Sequence, residues 1–410
     1  MTLIKPENHS EIKNKQRLVV IGAGMAGSKL AHAIATEHAD LYEVVLVGEE
    51  AQVGYNRIML SSLLAQEITE KEMSLVDITA MTQSGAQVIS SDPAISLNTG
   101  LKQLELLSGK QINYDKLVFA TGSRARQLAI PGVDSANVTQ FRDISDVDFM
   151  SKIPDKSEVC VIGAGLLGLE AAVGMVKRGH NVCVVHRSNF ILNRQLDKKS
   201  ARLLQNNLEK MGIRFCLGSA PKVLKTAKCS QTRLPIVDSV ALASGEWIET
   251  QLVVLATGIQ PEIALAKSAG LDVNKAIQVN AFMETSVEDV YALGECTEFE
   301  QATFGLVAPI WQQFDVLLDR LVQKSSRFSI TPVATKLKVS GINLFSAGEI
   351  DTEQESECIT YMDNAHNNYR KLVVKEGLLV GAILYGNVAD GSWYFQLIQN
   401  KAKVSKVLGQ

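Results

Sequence analysis

Val19-Val20-Ile21-Gly22-Ala23-Gly24-Met25-Ala26-Gly27 and, roughly 140 residues later, Val161-Ile162-Gly163-Ala164-Gly165-Leu166-Leu167-Gly168 are two copies of one pattern. In each, a short apolar run enters a G-x-G-x-x-G turn and a helical pattern leaves it. The first glycine permits the tight turn, the second lets backbone approach a pyrophosphate, and the third lets the helix pack close to the strand. The helix start then offers free N–H groups and a partial positive charge to phosphates. One such motif is a modest signal, but here both copies sit between strand and helix. The alternative is a tight turn with no ligand, and it would have to apply twice. Each cradle takes one dinucleotide, so the pair predicts a flavin and a nicotinamide on a single chain.

The surroundings of both cradles read as βαβ units, which build parallel sheets. In the first, a strand at 18–21, a helix at 25–37 and a strand at 43–47 end at Gly48-Glu49-Glu50. In the second, strands at 159–162 and 181–185 flank a helix at 166–178. Residues 55–65 read as a loop entering a short helix, 86–107 as a β-meander, and 114–120 as a strand that ends at Thr121-Gly122-Ser123. A second strand with the same ending runs from 252 to Ala256-Thr257-Gly258. Leu203, Leu204, Leu208 and Met211 share one face of an amphipathic helix at 197–211. A strand at 289–293 precedes Gly294-Glu295, and a helix at 309–324 has proline in its first turn. The tail alternates β-runs at 337–339, 358–362, 372–375 and 378–384, with a hairpin turn at Glu376-Gly377 and a closing helix at 393–399.

Bulk properties narrow the function class. The chain has 410 residues and a net charge of −3, which gives no electrostatic case for nucleic acid. Six cysteines show no zinc or iron–sulfur spacing, so no metal site is expected. Residues 1–17 are polar and of mixed charge, with no apolar leader. The longest apolar stretch, 159–176, is interrupted by four glycines and Glu170, and reads as strand, turn and buried helix rather than a membrane span. A cytoplasmic protein is expected.

The acidic residue after the second strand of such a unit accepts hydrogen bonds from ribose. Glu49 fits that role in the first unit, the alternative being a solvated turn. In the second unit the position is His186, followed by Arg187, so rejection of a 2′-phosphate is not built in and NADH versus NADPH stays open.

Taken with Ala120-Thr121-Gly122-Ser123, Ala256-Thr257-Gly258 and the run from Thr285 to Cys296 that contains Gly294-Glu295, the order of motifs resembles the pyridine nucleotide–disulfide oxidoreductase superfamily. The resemblance implies a glutathione-reductase-like α/β fold: two Rossmann-like domains plus a small α+β C-terminal domain. Its expected boundaries are 18–125 with 246–328 for FAD, 126–245 for NAD(P)H, and 331–410 for the interface domain. It implies FAD contacts from Gly22, Gly24, Met25, Ala26, Gly27, Glu49, Asn56, Arg57, Ser61, Thr121, Gly122, Gly294, Glu295, Ala308 and Pro309. It implies NAD(P)H contacts from Gly163, Gly165, Leu166, Leu167, Gly168, Glu170, His186, Arg187, Thr257 and Gly258.

No cysteine precedes Cys160, so neither a redox-active cysteine pair nor a sulfenic acid has its residue. The loop Tyr55-Asn56-Arg57-Ile58-Met59-Leu60-Ser61-Ser62 looks like that of flavin reductases of ferredoxins and rubredoxins, with Ser62 where a lysine often pairs with the glutamate at 170. That loop, Arg194-Gln195-Leu196-Asp197, the 305–309 run and the 335–341 run look like the flavin module of assimilatory nitrite reductase large subunits. The resemblance implies a stand-alone module, unable to reduce nitrite itself. A nicotinamide would give hydride to FAD, and single electrons would pass to a separate iron–sulfur, rubredoxin-like or molybdenum-containing protein. Glu170 is a candidate nicotinamide-side residue, Trp311 either packs the core or covers the flavin, and Lys222, Lys225, Lys228 and Arg233, or Lys336 and Lys338, are candidate docking cations. A rubredoxin reductase outside nitrogen metabolism and a nucleotide-sensing regulatory subunit are the competing readings.

Overall fold

The computed structural model describes residues 15–228, 234–339, 341–350 and 356–403. The chain divides into two compact units, one of segments 15–55, 74–123 and 261–329, the other of 56–73, 124–260 and 330–403.

The first unit is built on a five-stranded parallel sheet, ordered Val290–Ala292, Lys116–Phe119, Gln16–Ile21, Tyr42–Val47, Gln87–Ile89. Its central strand has Leu18, Val19 and Val20 fully buried, as a strand covered on both faces requires. Helix Met25–Glu37 supplies Leu30, Ala31 and Ile34 to the same core, and helix Val307–Leu321 supplies Phe314, Leu317 and Leu321. The meander lies later than expected, in strands Ala94–Asn98, Gln103–Leu106 and Gln111–Asn113. Residues 87–89 belong to the parallel sheet instead, because they extend it beside Val45–Val47.

The second unit repeats the theme. Its parallel sheet is ordered Ile213–Leu217, Asn181–His186, Glu158–Ile162, Leu252–Leu255, Val138–Gln140. Strand Leu252–Leu255, expected in the flavin domain, pairs with Glu158–Ile162, so the return to the first unit falls near 260 and not at 245. Residues 56–73, expected with the flavin domain, also fall in this unit, where helix Leu60–Leu64 packs on helix Leu166–Lys177. One face of the sheet shares a core with an antiparallel sheet of Pro221–Ala227, Ile236–Leu242 and Trp247–Glu249.

The C-terminal segment lies within this unit and forms the expected α+β domain, with a hydrophobic core of its own. It is a five-stranded antiparallel sheet ordered Ala334–Val339, Ile342–Gly348, Leu378–Tyr385, Asn368–Lys375, Glu357–Asp363, with helix Gly391–Gln399 completing its core. The hairpin at Glu376-Gly377 has φ of 51° and 72°, the doubly positive turn that matches strand twist. Helix Lys198–Lys210 is capped by Asp197, which accepts the Ser200 N–H at 2.9 Å, and Asp197 also accepts the Tyr369 hydroxyl at 2.7 Å.

Candidate dinucleotide sites

The two cradles share their close contacts. Gly22 has φ +110° and Gly163 φ +120°, a region closed to most side chains. A Cβ on Gly22 would lie 2.2 Å from the Ala120 carbonyl oxygen, and one on Gly163 the same distance from the Ala256 oxygen. A Cβ on Gly27 or Gly168 would lie 2.0 Å from the carbonyl oxygen of Gly22 or Gly163, respectively. Each turn is therefore clamped between its own helix and the strand that ends in Thr-Gly. Gly24 and Gly165 are the residues that precede the helices; neither helix has a side-chain cap or an acid in its first turn. A Cβ on Gly165 would meet nothing within 4 Å, so the second cradle opens into free space where it would receive a phosphate. Met25 with Ala26, and Leu166 with Leu167, form the first turns.

Around the first cradle, Glu49 stands exposed just past strand Tyr42–Val47. Glu50 beside it is engaged by the Tyr55 hydroxyl at 2.6 Å. Thr121 donates to the Glu262 carbonyl at 3.0 Å, and Gly122 follows with φ +65°. Glu295 accepts the Ser123 hydroxyl at 2.6 Å, which fixes its side chain. Gln313 is fully buried; its carbonyl oxygen accepts the Gly294 N–H at 2.7 Å, and its amide nitrogen has no protein acceptor. An orphaned donor beside the Gly294-Glu295 turn suits a bound polar ligand. Ala308 and Pro309 lie in the uncapped first turn of helix Val307–Leu321, where proline leaves no donor unused. Ser123 and Gln313 were missed by sequence reasoning; Ser123 had only its place in the Ala-Thr-Gly-Ser run, and Gln313 had no signal. Trp311 packs against the first core, with Phe314 edge-on at 6.3 Å and the Lys29 ammonium 4.2 Å from its ring.

In the second unit, Thr257 donates to the Arg126 carbonyl at 3.1 Å, and the Gly258 carbonyl accepts the Arg126 N–H at 2.9 Å. This mirrors the Thr121-Gly122 contacts with Glu262. Glu170, on the cradle helix, has no hydrogen-bond or ion-pair partner among the described residues, and burial pushes its carboxyl up to about 7. His186 ends strand Asn181–His186; its Nδ1 accepts the Ala164 N–H at 3.3 Å and its Nε2 lies 3.3 Å from Asn193 Oδ1. Arg187 is exposed and makes no ion pair among the described residues. Asn56, Arg57 and Ser61 also lie in the second unit: Asn56 caps the Arg57–Met59 turn, Arg57 donates to the Arg142 carbonyl at 3.0 Å, and Ser61 is in helix Leu60–Leu64.

No group of three or more acidic, histidine or cysteine side chains among the described residues can hold a metal ion. Cys160 and Cys183 are buried, and burial raises both thiols. Lys222, Lys225 and Lys228 are exposed on one edge of the second unit, with Lys225 6.0 Å from the Trp247 ring. Lys336 reaches Ser392 at 3.4 Å, while Arg233 and the Lys338 side chain lie outside the described residues. No helix among the described residues is long and apolar enough to cross a membrane.

A family profile described as pyridine nucleotide-disulphide oxidoreductase matches residues 16–313, a span that takes in both cradles. The chain belongs to this family. A second profile, the rubredoxin NAD+ reductase C-terminal domain, matches residues 332–402. As a pyridine nucleotide-disulphide oxidoreductase, the chain uses FAD and a nicotinamide dinucleotide as cofactors. It is 36% identical over 96% of its length to the nitrite reductase [NAD(P)H] of Bacillus subtilis, of which it covers 48%. It is 35% identical over 92% of its length to the assimilatory nitrate reductase electron transfer subunit of the same organism, again covering 48% of that protein. The chain thus spans about half the length of these curated relatives. Among solved structures it resembles a putidaredoxin reductase in covalent complex with putidaredoxin, with TM-score 0.85, 21% identity, and coverage of 97% of this chain and 96% of the other. That likeness agrees with the fold.

Proposed function

We propose that this chain is an FAD-dependent NAD(P)H:acceptor oxidoreductase that passes electrons to a separate one-electron carrier, as the electron-transfer component of nitrate or nitrite assimilation in the cytoplasm. The observation that carries the reading is the pair of identically constructed cradles on one chain of this family. The first would hold FAD through Gly22, Gly24, Met25, Ala26 and Gly27, with Glu49 on the ribose and Thr121, Gly122, Gly294 and Glu295 along the linker. The second would hold NAD(P)H through Gly163, Gly165, Leu166, Leu167 and Gly168, with Thr257, Gly258, Glu170, His186 and Arg187 around it.

Bound FAD supplies the conversion of a two-electron hydride donor into single electrons. The chain's own residues bind and orient. Uncapped helix starts offer N–H donors to each pyrophosphate. Glu295, steadied by Ser123, offers an acceptor to hydroxyl groups of the linker. The first turn of Val307–Leu321, with Ala308 and Pro309, would offer the positive end of a helix to the ring of a bound flavin, where negative charge develops on reduction. Hydride transfer needs no side-chain acid or base, so placement and exclusion of water are what the protein contributes.

The name of the Bacillus subtilis electron transfer subunit supports a carrier in nitrogen assimilation. A second reading, an NADH:rubredoxin reductase, draws on the profile match at 332–402. Anaerobic rapid mixing tests the proposal. The yellow holoenzyme should bleach with NADH or NADPH, then reduce an iron–sulfur or molybdenum-containing nitrate-assimilation protein faster than a rubredoxin. Faster turnover with rubredoxin favours the second reading, and a flavin that stays oxidised with both nucleotides ends both.

A further inference from the structure

In the second unit, no acidic residue occurs between Glu170 and Asp197, the stretch that holds the end of strand Asn181–His186 and the loop after it. A carboxylate there would accept both ribose hydroxyls of NADH and repel a 2′-phosphate. Asp197 does not substitute, because its oxygens are taken by Ser200, by the Tyr369 hydroxyl at 2.7 Å and by Lys371 at 3.7 Å. Glu246 lies against Cys216, two residues from Arg214 on the sheet face that carries Cys183 and Val185; His186 points to the other face.

The vacant role is filled by a neutral imidazole. The Ala164 N–H donates to His186 Nδ1, so the ring proton sits on Nε2, facing Asn193 Oδ1. Burial lowers the pKa of His186, and the charge of Arg187 lowers it further, against the Asn193 hydrogen bond. The loop is tied back to the cradle: the Leu192 N–H donates to the Ala164 carbonyl at 2.9 Å, with Leu192 at φ +48°. One cradle residue, Ala164, thereby anchors both His186 and the 190s loop. The two arginines next to these anchors, Arg187 and Arg194, are exposed and have no acidic partner among the described residues. Each has its planar donor fork available to a phosphate dianion.

We propose that the second cradle selects NADPH over NADH, and that Arg187, assisted by Arg194, is the specificity-determining residue that reads the 2′-phosphate. The inference rests on the reading of this cradle as a nicotinamide nucleotide site. Its direct test is calorimetric titration of the FAD-loaded protein with adenosine 2′,5′-bisphosphate and with ADP, neither of which can reduce a flavin. The bisphosphate should bind on the order of tenfold or more tightly, the effect of a charged hydrogen-bonded pair. Arg187→Gln should erase most of that ratio, Arg187→Lys should keep part of it, and Arg194→Gln should reduce it less. With ferricyanide as acceptor, the ratio of kcat/KM for NADPH to that for NADH should follow the same order. Equal affinity for the two probes, or a ratio unmoved by Arg187→Gln, overturns the inference while leaving the cradle reading intact. Flavin that neither nucleotide reduces, with neither probe bound, overturns both.

Discussion

At single positions, the glycines of the second cradle differ in what a side chain would meet. Gly163 has φ +120° and a Cβ there would lie 2.2 Å from the Ala256 oxygen, whereas Gly165 has φ −81° and open space. Gly163→Ala should therefore cost stability, about 1–3 kcal/mol from backbone strain alone. Gly165→Val should leave the denaturation midpoint nearly unchanged and yet abolish nucleotide binding, because its branches fill the space meant for phosphate. Equal destabilisation by both substitutions, measured in urea, would contradict this assignment of roles. Glu170 gives a different signature. Its folded carboxyl stays protonated up to about 7 against an ordinary 4.5, so the unfolded chain ionises first and stability falls as pH rises between those values. Above pH 7 the penalty levels off at a ceiling of about 3 kcal/mol. Glu170→Gln should thus melt higher than the parent at pH 8, with the difference vanishing near pH 4.

Among the elements, helix Lys198–Lys210 depends on Asp197 in two ways. The carboxylate caps its first turn, and it also neutralises Lys371, whose side chain is 9% exposed on strand Asn368–Lys375. Burial would raise the Asp197 pKa, but the Ser200 hydrogen bonds, Tyr369 and Lys371 outweigh it and bring it below 3.8. Its contribution is present above pH 3.8 and is lost as pH falls through the lower folded value. Asp197→Ala should destabilise by roughly 2–4 kcal/mol at pH 7, through the missing cap and the stranded ammonium. Asp197→Asn should recover part of that loss because it still caps.

Elements also show what sequence could and could not reveal. The first cradle helix, Met25–Glu37, is legible in the sequence because glycine spacing marks its start and small residues mark its buried stripe. Strand Ile342–Gly348 went unread: Leu344, Phe345, Ser346 and Ala347 are buried consecutively, so no period of two betrays it. Residues 87–89 form only a three-residue strand, and their parallel pairing with the 45–47 stretch is set by partners forty positions away. The Ser123–Glu295 and Gln313–Gly294 bonds are likewise tertiary facts. Gly22, Gly27, Gly163 and Gly168 were legible since a positive φ or a close backbone carbonyl demands glycine there, whereas the membership of 56–73 in the second unit depends on packing against helix Leu166–Lys177.

Over the whole molecule, one cradle per unit makes the two cofactor functions separable. Gly165→Val protein should still purify yellow and should be bleached by dithionite, but not by NADPH or NADH. Colourless Gly165→Val protein would mean that flavin retention depends on the second cradle. The division into units contrasts with interleaving along the chain. Phe119 ends the strand beside the central one in the first sheet, yet its outer neighbour, Val290–Ala292, is encoded roughly 170 residues later. On a translating ribosome, at about 5–20 residues per second, that gap lasts roughly ten to thirty seconds. Throughout it the nascent sheet presents an apolar strand with an unpaired edge, which makes this interval the one in which wrong edge-to-edge pairing is most open to the emerging chain.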